Sequence, residues 1–296
     1  MRHGRVRIGI SGWTYKPWRG VFYPEKLRQK DELAYAAKTF PSVEINGTFY
    51  SLQRPSSYKL WATKTPPGFE FAVKGSRYIT HLKRLRQIEA ALANFFASGV
   101  LALGDRLGPF LWQFPPNFKF DPEEFEAFLE LLPRDTDAAV RLGSKHEDWL
   151  KDRIFLEPEK KRKLRHAIEI RHASFATPDF IKMLRRHKTA LVCSDAVGWP
   201  RLMDVTADFV YCRLHGAEEL YASGYDDAAL DVWAARVAAW ARGQELHEDA
   251  GRVSQIPAPK RKSRDVYVYF DNDAKVRAPF DARALIEKVD RLLEAG

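Results

Sequence analysis

Glu44 and Asn46 stand two residues apart in SVEINGTFY, and polar groups recur in the same way inside other apolar runs of the chain. Lys74 falls in FEFAVKGS, Gln113 in GPFLWQF, Glu169 and Arg171 in HAIEIRH, Asp195 at the end of ALVCSD, Arg213 and His215 in FVYCRLHG, and Asp271 in VYVYFDND. Side chains alternate between the two faces of a strand, so each run reads as a strand with its polar set on one face and its apolar set on the other. Two chemistries fit these residue types. In the first, Lys74, Arg171 and Arg213 hold an anionic group. Glu44 or Glu169 acts as general base with His215 as its acid partner, and Asn46, Gln113 and Asp195 orient hydroxyls, giving proton transfer on a sugar, a phosphosugar or another small anion. In the second, Glu169, Asp195, His215 and Asp271 offer oxygen and imidazole ligands to a divalent metal, as in an isomerase, a hydrolase or a nuclease. Three neighbouring cations and a single inward histidine count against the metal. His146, His166, His172 and His187 are read as surface groups of loops and helices. The plainer alternative is a structural ion-pair network such as Glu169 with Arg171 or Arg213 with Asp195. Buried pairs are costly to desolvate, so charge from this many strands favours a site over a core.

A second signal is aromatic. GWTYKPWRGVFYP places Trp13, Tyr15, Trp18, Phe22 and Tyr23 in the connection after the first strand, and Phe49 and Tyr50 follow the second. Rings crowded over one end of a sheet can stack on sugar or base rings, with Trp13 and Tyr50 as the binding candidates, or they can plug that end.

These groups need a scaffold that brings strand ends together. Eight apolar runs suit strands: 6–12, 42–50, 69–76, 108–114, 166–172, 190–195, 209–216 and 266–273. Between them lie helix signals. Asp121 precedes Pro122 with Glu124 in capping-box position and Phe125, Phe128, Leu129 and Leu132 as a stripe, and Thr177 precedes Pro178 in the same way. Strand then helix, repeated eight times, predicts one parallel (β/α)8 barrel over residues 1–296, with an irregular sixth or seventh unit where AVGWPRLMDVTA leaves little room for a helix. An open doubly wound sheet is the alternative, but no Gly-x-Gly-x-x-Gly follows the first strand. In a barrel the apolar parity packs against the helices and the polar parity points inward near the C-terminal strand ends, where barrel enzymes place their sites.

Composition sets outer bounds. The chain is 45% hydrophobic and 13% aromatic over 296 residues, enough for a large core. Basic residues exceed acidic ones by nine, which points to an anionic partner. Much of the excess sits in KKRKLRH (160–166) and KRKSR (260–264), runs that read as solvated loops, so nucleic acid is the weaker partner expectation and a small anionic or sugar-like ligand the stronger. Cys193 and Cys212 have no metal-like spacing; strand parity sets them on different faces with no disulfide between them. No leader or membrane-length apolar run is visible, so a cytoplasmic protein without a membrane partner is expected, with no cofactor unless the metal alternative holds. The oligomeric state is not legible.

VEINGTFY, FAVKGSRYITH, FLWQFPP, IEIRHASF, YCRLHG and YVYFDND, in this order, resemble the domain of unknown function 72 (YecE-like) family over almost the whole chain. The resemblance implies a TIM barrel loosely related to sugar isomerases, without an established reaction. It also implies that Glu44, Asn46, Lys74, Gln113, Glu169, Arg171, Asp195, Arg213 and His215 belong to the family's recurring polar set. Where that family reads Phe-Asn-Asn, this chain has Phe270, Asp271 and Asn272, and the added carboxylate bears on ligand or metal preference there. A non-catalytic nucleotide- or nucleic-acid-binding protein stays open as a third function, because fold does not fix function.

Overall fold

A computed structural model describes residues 3–216, 218–245 and 251–295. Eight parallel strands run β1 (Val6–Ser11), β2 (Ser42–Ile45), β3 (Glu70–Lys74), β4 (Leu107–Gln113), β5 (His166–Glu169), β6 (Ala190–Asp195), β7 (Phe209–Leu214) and β8 (Asp265–Phe270). Each pairs with its sequence neighbour, and β8 pairs back onto β1, so the sheet closes into a barrel. The helices are α1 (Glu32–Thr39), α2 (Gly47–Tyr50), α3 (Pro55–Thr63), α4 (Glu89–Ala97), α5 (Pro122–Leu131), α6 (Thr136–Gly143), α7 (Pro178–Arg186), α8 (Asp227–Ala241) and α9 (Ala278–Glu294). The expected caps form: Asp121 accepts from the Glu124 amide at the start of α5, and Thr177 accepts from Phe180 at the start of α7. Between β6 and β7 the described chain makes no helix, which is the irregular unit expected there.

Two apolar clusters separate the barrel wall into its faces. The larger lies between strands and helices and takes Val43, Ile45, Phe71, Val73, Phe110, Trp112, Ile168, Cys212, Leu214, Val268 and Phe270. The smaller fills the barrel itself with Ala72, Leu111, Ala167, Val192, Tyr211, Tyr267 and Tyr269. Glu44, Lys74, Gln113, Glu169 and Arg213 share parity with this inner set, as alternation requires.

Strand β6 departs from the expected parity. Val192 belongs to the inner cluster and Cys193 to the outer one, and Ser194 is the residue level with Arg213. Asp195 therefore has the outward parity, and Cys193 stands beside Cys212 on the same face, not the opposite one; both are free thiols. Strand β2 stops at Ile45, so the stretch around Thr48 is a helical turn instead of the expected strand tail. His166 is also not a surface group: it is fully buried at the start of β5, accepts from the Trp112 indole at 3.1 Å and lies 2.7 Å from the Pro133 carbonyl. The Lys160–His166 run is anchored by ion pairs, Lys160 and Arg162 to Asp105, Lys161 to Asp135 and Asp137, and Lys163 to Asp208.

Gly9 faces into the barrel where β1 and β2 meet, and a Cβ placed there would lie 1.9 Å from the Ser42 carbonyl oxygen. Backbone cannot yield as a flexible side chain can. Gly9→Ala is expected to lower unfolding free energy by about 3 kcal/mol, read from the denaturant midpoint at unchanged slope.

Candidate active site at the barrel mouth

The centre of the mouth is one guanidinium among three carboxylates. Arg213 Nη1 donates to Glu169 Oε2 at 2.8 Å, and its Nη2 reaches Glu44 Oε1 at 2.9 Å, Asp271 Oδ2 at 2.8 Å and Ser11 Oγ at 3.1 Å. Arg213, Glu44 and Glu169 are completely shielded from solvent. The remaining acceptor positions are used as well. Glu44 takes Ser11 Oγ–H and Tyr211 O–H, each at 2.5 Å, and Glu169 takes the Gln113 amide at 2.9 Å and the Arg171 guanidinium at 3.1 and 3.2 Å. Burial alone would raise the Glu169 and Asp271 carboxyls. The Arg213 charge overrides it and holds both below the usual carboxylate range, with Arg171 helping at Glu169 and His215 at Asp271.

His215 is fully buried just beyond the end of β7, its ring nitrogens 3.1 Å from Asp271 and 3.5 Å from Glu169, without the alignment of a hydrogen bond. Trp199 and Tyr221 stand edge-on to it at 5.2 and 5.4 Å, and the Arg171 guanidinium lies 3.7 Å over the Trp199 ring. Lys74 ends β3 with its ammonium 4.3 Å above the Phe49 ring and no carboxylate within ion-pair reach among the described residues. Burial first, then the Arg213 charge, bring it down to about 8.

Beside this centre a cavity of about 370 Å³ opens between the loop after β1 and the turn after β2, lined by Trp13, Tyr15, Asn46 and Tyr50 among others. Asn46 joins the two regions, because its Nδ2 donates to Ser11 Oγ at 2.9 Å. The aromatic loop thus divides in two. Trp13 and Tyr15 face the cavity, whereas Trp18, Phe22 and Tyr23 are buried in the outer core as a plug.

The profile described as "Protein of unknown function DUF72" matches residues 7–295. The chain belongs to the DUF72 family. It is 28% identical over 149 residues to the UPF0759 protein YunF of Bacillus subtilis, covering 49% of this chain and 52% of that protein. It is likewise 28% identical over 142 residues to the UPF0759 protein YecE of Escherichia coli K12, covering 46% and 48%. The match thus spans about half the length of these curated relatives. The crystal structure of a DUF72 family protein from Thermotoga maritima superposes with a TM-score of 0.68 at 25% identity, over 98% of this chain and 99% of that one. A DUF72 family protein from Enterococcus faecalis superposes at 0.67 with 19% identity, over 96% and 95%, which speaks for the fold.

In this DUF72 protein the barrel brings Glu44, Asn46, Lys74, Gln113, Glu169, Arg171, Arg213, His215 and Asp271 to one end. Asp195 is the exception: with its outward parity it bonds Tyr225 O–H at 3.0 Å and Arg201 at 3.2 Å, away from Arg213. The metal set Glu169, Asp195, His215 and Asp271 is accordingly not assembled. Among the described residues no three His, Cys, Asp or Glu side chains are grouped to hold an ion, and Arg213 bridges Glu169 and Asp271. The Asp271 side chain, the departure within the Phe-Asn-Asn motif, supplies the third carboxylate, and Asn272 turns away to bond Asp281 at 2.8 Å. Ser11 and Tyr211 take part unannounced by any charge pattern, although alternation from Arg213 and a strand-end position could have pointed to them. Trp199 and Tyr221 lie in irregular segments and His81 in the short helical turn Tyr78–Leu82, where strand alternation does not mark them. His81 lies among these cations, and burial with the Arg171 and Lys74 charges brings it down to about 4. No helix of the described residues is long and apolar enough to cross a membrane.

Arg213→Met leaves buried carboxylates without their counter-charge and is expected to cost about 3–5 kcal/mol at pH 7 by denaturant titration. In the wild type, Glu169 and Asp271 have folded-state values below their unfolded ones, so their contribution is present above the unfolded value and is lost as pH falls through the folded value. The variant's carboxylates protonate earlier, and its deficit should therefore shrink towards pH 4.

Proposed function

We propose that the barrel mouth belongs to an enzyme acting by proton transfer on a small anionic, sugar-like substrate. The observation that carries this is Lys74, a buried ammonium with an aromatic ring beneath it and no carboxylate within ion-pair reach among the described residues. Arg213 is fully buried with both terminal nitrogens turned to the protein's own carboxylates, so the clamp for an incoming anion is Lys74 with the rim-facing Arg171, not Arg213. Arg171 remains paired to Glu169 but is 11% exposed and presents its edge beside Trp199 and Tyr221. An anion seated there would gain charge-assisted hydrogen bonds in a water-poor setting.

The same geometry redistributes the catalytic roles. A general base needs a free lone pair, and of the four oxygens of Glu44 and Glu169 three accept two hydrogen bonds each, while Glu44 Oε2 accepts one from Tyr211. These acids fix Arg213 and the field around it. His215 has both ring nitrogens without a hydrogen-bond partner and stands between two carboxylates, so it is assigned the moving proton. The metal-dependent alternative has no comparable observation behind it.

Lys74 is charged below about pH 8 and neutral above, so an anion held by it binds with constant affinity through neutral pH and progressively more weakly above pH 8. Calorimetric titrations with phosphosugars and sugar acids between pH 6.5 and 9.5 should show this fall. Lys74→Met should weaken binding about tenfold at pH 7 and flatten the profile, by the strength of a hydrogen bond to a charged group. An unchanged affinity in the variant would refute the assignment of Lys74.

A further inference from the structure

The cavity beside the charged centre has walls of another kind. Four rings, Trp13, Tyr15, Tyr50 and Trp61, and two amides, Asn46 and Gln53, provide its aromatic and amide lining, and no charged side chain is among its described lining residues. Trp13 meets Trp61 edge to face at 5.4 Å, which fixes both rings. A volume of about 370 Å³ is at the small end of ligand sites and suits one flat ring system with its substituent.

Three of the polar groups on these walls, on Tyr15, Gln53 and Asn46, are committed as donors. The Tyr15 hydroxyl donates to the Ser11 carbonyl at 2.6 Å, and Gln53 Nε2 to Ser51 at 3.1 Å. For Asn46 the network settles the orientation of the amide. The single Ser11 hydroxyl proton goes to Glu44, so Ser11 Oγ is an acceptor, and Asn46 must present Nδ2 to it. Its Oδ1 is left as a buried acceptor without a partner at the inner wall. A buried carbonyl oxygen with no donor is an uncommon and costly arrangement, and a ligand N–H would relieve it.

We propose that this cavity binds an uncharged, amino-bearing heteroaromatic ring with the chemistry of an adenine- or cytosine-type nucleobase, stacked on the rim aromatics with an N–H of its edge on Asn46 Oδ1. The ring site goes beyond the anion-site reading, because it requires no charge on the ligand. Asn46 links the two, its other amide end bonded to the Ser11–Glu44–Arg213 network.

The test is tryptophan fluorescence of the full chain titrated with adenosine, with purine riboside lacking the amino group, and with methyl glucoside. Adenosine should give saturable quenching, purine riboside a weaker response and the glucoside none over the same range. Tyr50 is 70% exposed, so Tyr50→Ala should fold normally and weaken adenosine about tenfold, the usual loss for one stacking ring. Asn46→Ala should weaken adenosine more than purine riboside. No saturable response to adenosine, equal binding of the glucoside, or unchanged affinity in Tyr50→Ala would overturn the proposal. Adenosine binding retained in Lys74→Met supports the ring site even if the anion reading fails, whereas anion binding without any adenosine response refutes the ring site alone.

Discussion

A buried guanidinium must be neutralised where it stands, and in this barrel that requirement organises the whole C-terminal end. Arg213 reaches Glu44 from β2, Glu169 from β5 and Asp271 from beyond β8, with Ser11 from β1 bridging to it. Desolvating such a group is expensive, and only well-directed partners recover the loss. The result is a rigid hub spanning elements far apart in sequence. Counting Arg171 and Lys74, the centre holds three cations against three carboxylates, so it is close to electrically balanced before any ligand arrives.

Below the hub the barrel is filled by tyrosines that are apolar in body and polar at the tip. Tyr211 reaches Glu44, Tyr269 lies 2.6 Å from Ser42, and Tyr267 donates to Glu70 at 2.7 Å, which in turn pairs with Arg5 and Arg7 at the opposite end. Stacked rings exclude water from the axis, and each hydroxyl finds a partner, as a buried phenol requires. Excluding water strengthens every charge interaction at the hub, so the packed interior and the site chemistry are one design.

Much of this was legible in the residue order. Period-two alternation identified the inward face of β2, β3, β4, β5 and β7 because one parity in each run is apolar and the other polar. It failed in β6, where ALVCSD offers apolar residues at both parities and polar Ser194 and Asp195 at opposite ones, with Asp195 the only charged cue; register against Arg213 assigns Ser194 to the interior instead. Thr48 was misplaced for a related reason, since NGTFY continues the alternating pattern after the chain has turned into α2. Trp199 and Tyr221 had no pattern to betray them, because loops are ordered by what they pack against and not by a repeat, and His81 closes the FAVKGSRYITH motif in a helical turn beyond the reach of strand alternation. The crowd of donors around Glu44 and Glu169 was invisible too, since residue type tells that a carboxylate is present but not how many donors surround it.

Electrical balance at the hub constrains how an anionic substrate could be accommodated. An anion entering a site that already sets three cations against three carboxylates adds an unmatched negative charge in a medium that screens it poorly. On the proposed reading the surplus is met by a proton. The Lys74 charge is already in that balance, so the group left to take the extra proton is the ring of His215, which stands between Asp271 and Glu169 with neither nitrogen hydrogen-bonded. The proton that makes room for the anion is then already beside the substrate, next to Glu169 and Asp271, which the Arg213 charge holds below the usual carboxylate range. Binding and proton transfer would thus be consequences of a single charge constraint, and the carboxylates contribute by holding Arg213 and the field around it.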